Sequence, residues 1–136
     1  EVGCLMSSVS NALAGWGVRI DGRGATPGTL NVWCKENSGY VGDSLLDEVA
    51  VQKIAPDRVV WPADGMHKTN DLSYATVVEY LMHGRVVIAN VLKGRHFVLA
   101  VGWDDDNSTV HVHDSGFATE SYEYDDIVGW RLFDMS

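Results

Sequence analysis

Cys4 stands directly after Gly3 at the start of a helical apolar pattern. A thiol at a helix N-terminus feels the positive end of the aligned peptide dipoles, which favours thiolate over thiol. Thiolate is the nucleophilic form, and the free N–H groups of a first helical turn can hold an oxyanion. Such a cysteine needs a base. His96 follows the Lys93-Gly94-Arg95 turn and opens the apolar run Phe97-Val98-Leu99-Ala100-Val101, a polar ring at the mouth of a core strand. If Asp104-Asp105-Asp106 is the hairpin loop, Trp103 faces Asn107 and His96 pairs with Asp114 directly across the ladder. A loop one residue shorter sets Asp114 opposite Phe97 instead. In the first register the carboxylate orients the imidazole and stabilises its protonated form, the third role in a Cys-His-Asp arrangement. The bland alternatives are a buried structural cysteine at position 4 and a turn-forming aspartate before Ser115-Gly116.

The remaining candidates read as structure. Cys34 lies beside Trp33 on an apolar stripe and reads as core filler. Two cysteines make no disulfide framework, so both are read as thiols. His67 sits in a polar loop and reads as solvated, and His83 ends a helix, where the dipole favours a cation. His111 and His113 alternate on one strand face with no third ligand at zinc-like spacing, so no metal is expected. The run Asp104-Asp105-Asp106-Asn107 lacks the glycine and closing glutamate of a calcium loop and reads as a solvated turn. Trp16, Trp33, Trp61, Trp103 and Trp130 mostly fall on apolar stripes and read as core.

Several elements must position these groups. Val2, Leu5, Met6, Val9, Ala12, Leu13 and Trp16 recur on one helical face, closed by Gly15 and Gly17. Thr26-Pro27 is an N-cap with proline at the first helical position, followed by the stripe Leu30, Trp33, Cys34 and the stop Asn37-Ser38-Gly39. A third helix is predicted over Ser44 to Ala55, with Leu45, Leu46, Val49 and Ile54 inward. A fourth runs from Asn70, as its cap, to His83, stopped by Gly84. The period then changes. Arg85 to Leu92, His96 to Trp103 and Thr109 to Asp114 read as strands, and Glu120 to Phe133 as a helical turn at Asp125-Asp126 plus a final strand. Helices first and antiparallel strands later, without βαβ alternation, make an α+β domain over residues 1–136.

Composition narrows the function. The chain has 136 residues, 46% of them hydrophobic and 21% charged, which excludes a disordered chain or a fibre. Ten Lys plus Arg against nineteen Asp plus Glu give a net charge of −9. Such a domain repels phosphate backbones and anionic surfaces, so no nucleic-acid partner is expected and docking on anionic membranes is disfavoured; no direct membrane insertion is expected either, on the length of the apolar runs. The longest apolar runs are far too short to span a bilayer.

The pieces together resemble papain-like cysteine peptidases of the bacteriocin-processing type, the double-glycine leader peptidases and their phage and bacterial lysin relatives. Gly3-Cys4-Leu5-Met6-Ser7-Ser8-Val9 resembles their active-site helix, and Ala25-Thr26-Pro27-Gly28-Thr29-Leu30 their second helix. Gly84-Arg85-Val86-Val87-Ile88-Ala89 with His96-Phe97-Val98-Leu99 is similar to their histidine strand pair. Val112-His113-Asp114-Ser115-Gly116 is similar to the strand bearing their aspartate, with Ser115 where the family more often has proline.

The resemblance implies a papain-like fold of N-terminal helices packed on a C-terminal antiparallel sheet. It also implies Cys4 as nucleophile, His96 as base and acid, and Asp114 as orienter, with no cofactor. The family usually supplies an oxyanion-hole glutamine a few residues before the cysteine, a position this sequence begins too late to include; either it lies upstream, or another group substitutes, or the domain is catalytically weak. The partner implied is a peptide, either a leader peptide or the peptide of a cell wall, the latter with further domains for adhesion. Two readings stand beside this one: a non-catalytic docking module of the same fold, and an acyl-transfer enzyme using the same three residues.

Overall fold

A computed structural model describes residues 2–41, 45–114 and 119–136; the side chains of residues 2–4 and 45 also lie outside the described set. The first helix, α1, spans Val2–Gly15. It buries Leu5, Met6, Val9, Ala12 and Leu13 as one stripe, and Gly17 takes the left-handed conformation (φ 70°) that ends it. Trp16, just past the helix, is 39% exposed rather than core, because the chain has already turned away.

Helix α2, Pro27–Glu36, carries a full capping box: Thr29 N–H donates to the Thr26 hydroxyl, and the Thr26 N–H donates to the Thr29 hydroxyl. Leu30, Trp33 and Cys34 are buried as the stripe requires. Past its end Ser38, not Gly39, adopts the left-handed conformation (φ 57°). Gly39 is needed for a different reason. A Cβ there would stand 2.7 Å from Cys34 Sγ and 2.8 Å from Cys34 Cα. Gly39→Ala should therefore lower unfolding stability by about 1–3 kcal/mol, read as a shift in the denaturant midpoint.

Two helices differ from the sequence reading. In place of one helix over 44–55, strands β1 (Tyr40–Val41) and β2 (Leu45–Leu46) pair antiparallel. Helix α3 occupies only Glu48–Val51, capped by Asp47, and a 3-10 turn continues it over Gln52–Ile54. Val49 points to solvent, and position 44 lies outside the described residues. Asp47 caps the shorter helix, its carboxylate accepting the Val49 N–H. After the short strands β3 (Val59–Val60) and β4 (Met66–His67), helix α4 spans Tyr74–Met82 with Ser73 as its cap. Asn70 is drawn elsewhere: its Oδ1 accepts the Trp130 indole N–H at 3.0 Å and its amide donates to the Tyr124 carbonyl.

The C-terminal half is the sheet. Strands β5 (Val86–Val91), β6 (His96–Asp104), β7 (Thr109–His113), β8 (Ser121–Glu123) and β9 (Gly129–Met135) all pair antiparallel. The strand order is β3-β9-β5-β6-β7-β8, with β4 also on β9. Central β5 alternates between two cores. Val86 and Ile88 join Phe133 and the buried stripes of α1 and α2, whereas Val87, Ala89 and Val91 join Val98, Trp130, Leu132 and Val77 of α4. With both faces covered, a strand reads as a continuous apolar run, and β5 does. The result is the expected α+β, papain-like arrangement of helices packed on an antiparallel sheet.

The β6–β7 hairpin corrects the sequence register. Asp104 pairs with Thr109, so the loop is Asp105–Ser108, longer than the sequence suggests, and a bulge at Val101 shifts the ladder before Leu99 pairs with His113. Asp104 holds the longer turn. Its carboxylate accepts the Asp106 N–H at 3.0 Å and the Asn107 amide at 3.2 Å. His96 and Asp114 are therefore not directly opposite.

Candidate active site

His96 opens β6 after a tight turn in which Leu92, Lys93 and Gly94 all have positive φ. Continuing the observed register from Leu99–His113 sets Asp114 beside Val98, two residues from His96 on the same side of the strand. Such a diagonal neighbour lies within side-chain reach. The structure shows the contact: His96 Nε2 lies 2.8 Å from Asp114 Oδ1. Both side chains are buried, 4% and 0% exposed, so water competes little for either partner. The pair was legible although the register behind it was not.

Tyr122 completes the contact and went unnoticed in the sequence. It pairs across from Val110, and its phenol donates to Asp114 Oδ2 at 3.1 Å. Thr119 also hydrogen-bonds the Tyr122 side chain. Burial pushes the Tyr122 pKa up, Thr119 opposes that, and the Asp114 carboxylate adds to it, so the phenol stays a donor. A Tyr set between polar Ser121 and Glu123, eight residues past a candidate Asp, was the available signal.

The cysteine helix is tied to the same strand. Ser8, 3% exposed, donates its hydroxyl to the carbonyl of Phe97 at 3.2 Å, next to His96. Cys4 is a residue of the first turn of α1, one helical turn before Ser8 and on the same helical row. The Cys4 side chain lies outside the described residues, as do Ser115 and Gly116.

The other candidates take structural roles. Cys34 is a buried free thiol, and burial pushes its pKa up to about 11, which suppresses the thiolate at neutral pH. His67 is not solvated but held, with Nδ1 2.6 Å from Asp71 Oδ1 and Nε2 2.7 Å from the Asp64 carbonyl. His83 caps α4, its ring against the Glu79 carbonyl. His111 and His113 lie on the exposed face of β7. Among the described residues no three His, Cys, Asp or Glu side chains converge as metal ligands. No helix among them is long and apolar enough to cross a membrane.

Comparison with known proteins gives one result. The family model described as "Peptidase_C39 like family" matches residues 1–133. No curated protein and no solved structure matches the chain. A match over almost the whole length, on a fold that bonds a buried histidine to an aspartate beside the helix bearing Cys4, shows that the chain belongs to the Peptidase_C39 like family of cysteine peptidases.

Proposed function

We propose that residues 1–136 form one peptidase domain that hydrolyses a peptide bond through Cys4, His96 and Asp114. The observation that carries this reading is the buried 2.8 Å contact between His96 Nε2 and Asp114, on a strand start to which Ser8 ties the cysteine helix. With Nε2 committed to Asp114, the proton exchanged with thiol and substrate belongs on Nδ1. The thiolate of Cys4 adds to the carbonyl carbon, and the first-turn N–H groups of α1 hold the oxyanion. The C–N bond breaks as the imidazolium gives its proton to the leaving amine, which departs and leaves a thioester. Water, deprotonated by His96, then attacks the thioester; the acid is released and the thiolate re-forms. Peptide is the substrate class that suits a domain of charge −9, which repels anionic polymers.

Alkylation across a pH series tests this reading without a known substrate. Cys4 should react with iodoacetamide well below the pH at which an ordinary thiol does, and His96→Ala should remove that advantage. Cys34, with its pKa near 11, should label only in strong alkali or after unfolding. Equal labelling of the two thiols in the folded protein would sink the proposal.

A further inference from the structure

Asp114 has two carboxylate oxygens, and the histidine contact uses one. The other faces a phenol. Oδ1 meets His96 Nε2 at 2.8 Å, while Oδ2 accepts the Tyr122 O–H at 3.1 Å. The aspartate side chain is wholly buried, so donors from the protein, these two among them, govern its charge distribution far more than solvent does. Tyr122 comes from β8, the edge strand of the sheet, rather than from the hairpin that carries the other two residues.

We propose that Tyr122 is a positioning residue of the peptidase site, acting through Asp114 to set how strongly the carboxylate holds the His96 imidazolium. This rests on the assignment of His96 as base and Asp114 as its orienter. A donor on Oδ2 draws part of the negative charge away from Oδ1 and fixes the plane of the carboxylate. Loss of that donor leaves a larger share of the charge on Oδ1, and the protonated imidazole is held more tightly. An imidazolium that is held more tightly gives up its proton to a leaving amine less readily, so the phenol keeps the acid poised for transfer.

The sign of the expected effect follows. In Tyr122→Phe the protonated form of His96 is favoured, so its titration midpoint, followed by NMR of the ring carbon-bound protons, should rise by about half a unit or more. Tyr124→Phe is the control. That phenol donates to the Leu72 carbonyl, packs in the same core and leaves Asp114 untouched, so the His96 midpoint should stay at the wild-type value. Arg95 next in sequence and Cys4 on α1 are unchanged in both variants. Thr119→Val serves if Tyr122→Phe folds poorly: loss of the Thr119 hydrogen bond weakens the phenol as a donor and should raise the midpoint by a smaller amount, about a few tenths of a unit.

An unchanged or lowered midpoint in folded Tyr122→Phe overturns the proposal, as does an equal rise in Tyr124→Phe. Failure of the underlying triad reading shows up separately. His96→Ala would then leave Cys4 alkylation as it was, whereas the Tyr122 titration reads the hydrogen-bonded chain itself.

Discussion

Asp114→Asn is expected to lower kcat for peptide cleavage by roughly a hundredfold or more while KM changes little. The carboxylate accepts from His96 Nε2 in a setting closed to solvent, so under the proposed triad it fixes the ring and favours the imidazolium that protonates the leaving amine. An amide carries no charge, and in one of its two orientations it presents N–H groups to the same nitrogen. The loss falls on the chemical step rather than on substrate capture, which is why it belongs in kcat. His96→Ala should cost more still, because it removes the acid and the base together. Steady-state kinetics on a peptide that the wild-type chain cleaves decides the matter; equal loss in KM alone would contradict this role for Asp114.

Trp130→Ala should cost stability on a comparable scale, about 3–5 kcal/mol, measured as a fall in the denaturant midpoint. The indole is fully buried on β9 at the centre of one core, pairs across from Ala89 of β5, and packs a tilted 6.4 Å from the Tyr124 ring. Its N–H also satisfies the Asn70 side chain, so truncation leaves both a cavity and a polar atom without its donor. Against a typical total of about 5–15 kcal/mol, that loss is enough to leave much of the chain unfolded near physiological temperature. Trp130→Phe separates the two contributions: it retains most of the volume and loses the hydrogen bond, and should cost about 1–3 kcal/mol.

Periodicity made the strong elements legible. The stripe from Leu5 to Leu13, the Thr26-Pro27 start and the apolar run Val86–Val91 each carry a local signal that tertiary packing reinforced. Where the sequence misled, competition between local options was the cause. The third helix starts only behind Asp47, Ser73 displaced Asn70 as the cap of the fourth, and Asn70 was taken by Trp130, a partner sixty residues away that no window could show. The short strands β3 and β4 were invisible because two residues carry no period; they exist only as additions to β9.

The site shows the same division. His96 and Asp114 could be nominated from residue type and strand position, and they do meet. Their register could not, because the Asp104 side chain lengthens its own turn and a bulge at Val101 follows. Tyr122 was hidden for a plainer reason: a tyrosine on an edge strand looks like ordinary sheet packing until its hydroxyl has somewhere to point.

The bond from Ser8 to the Phe97 carbonyl joins residues 89 positions apart. During synthesis the segment bearing Cys4 leaves the ribosome well before the one bearing His96, its proposed base. Contacts of such large sequence separation form late and slowly, since a long loop must close before they give any return. A half-made chain therefore carries a thiol with no proton acceptor beside it. Under the proposed triad, Cys4 gains its base only when the two halves dock, so chain connectivity alone would delay its activation.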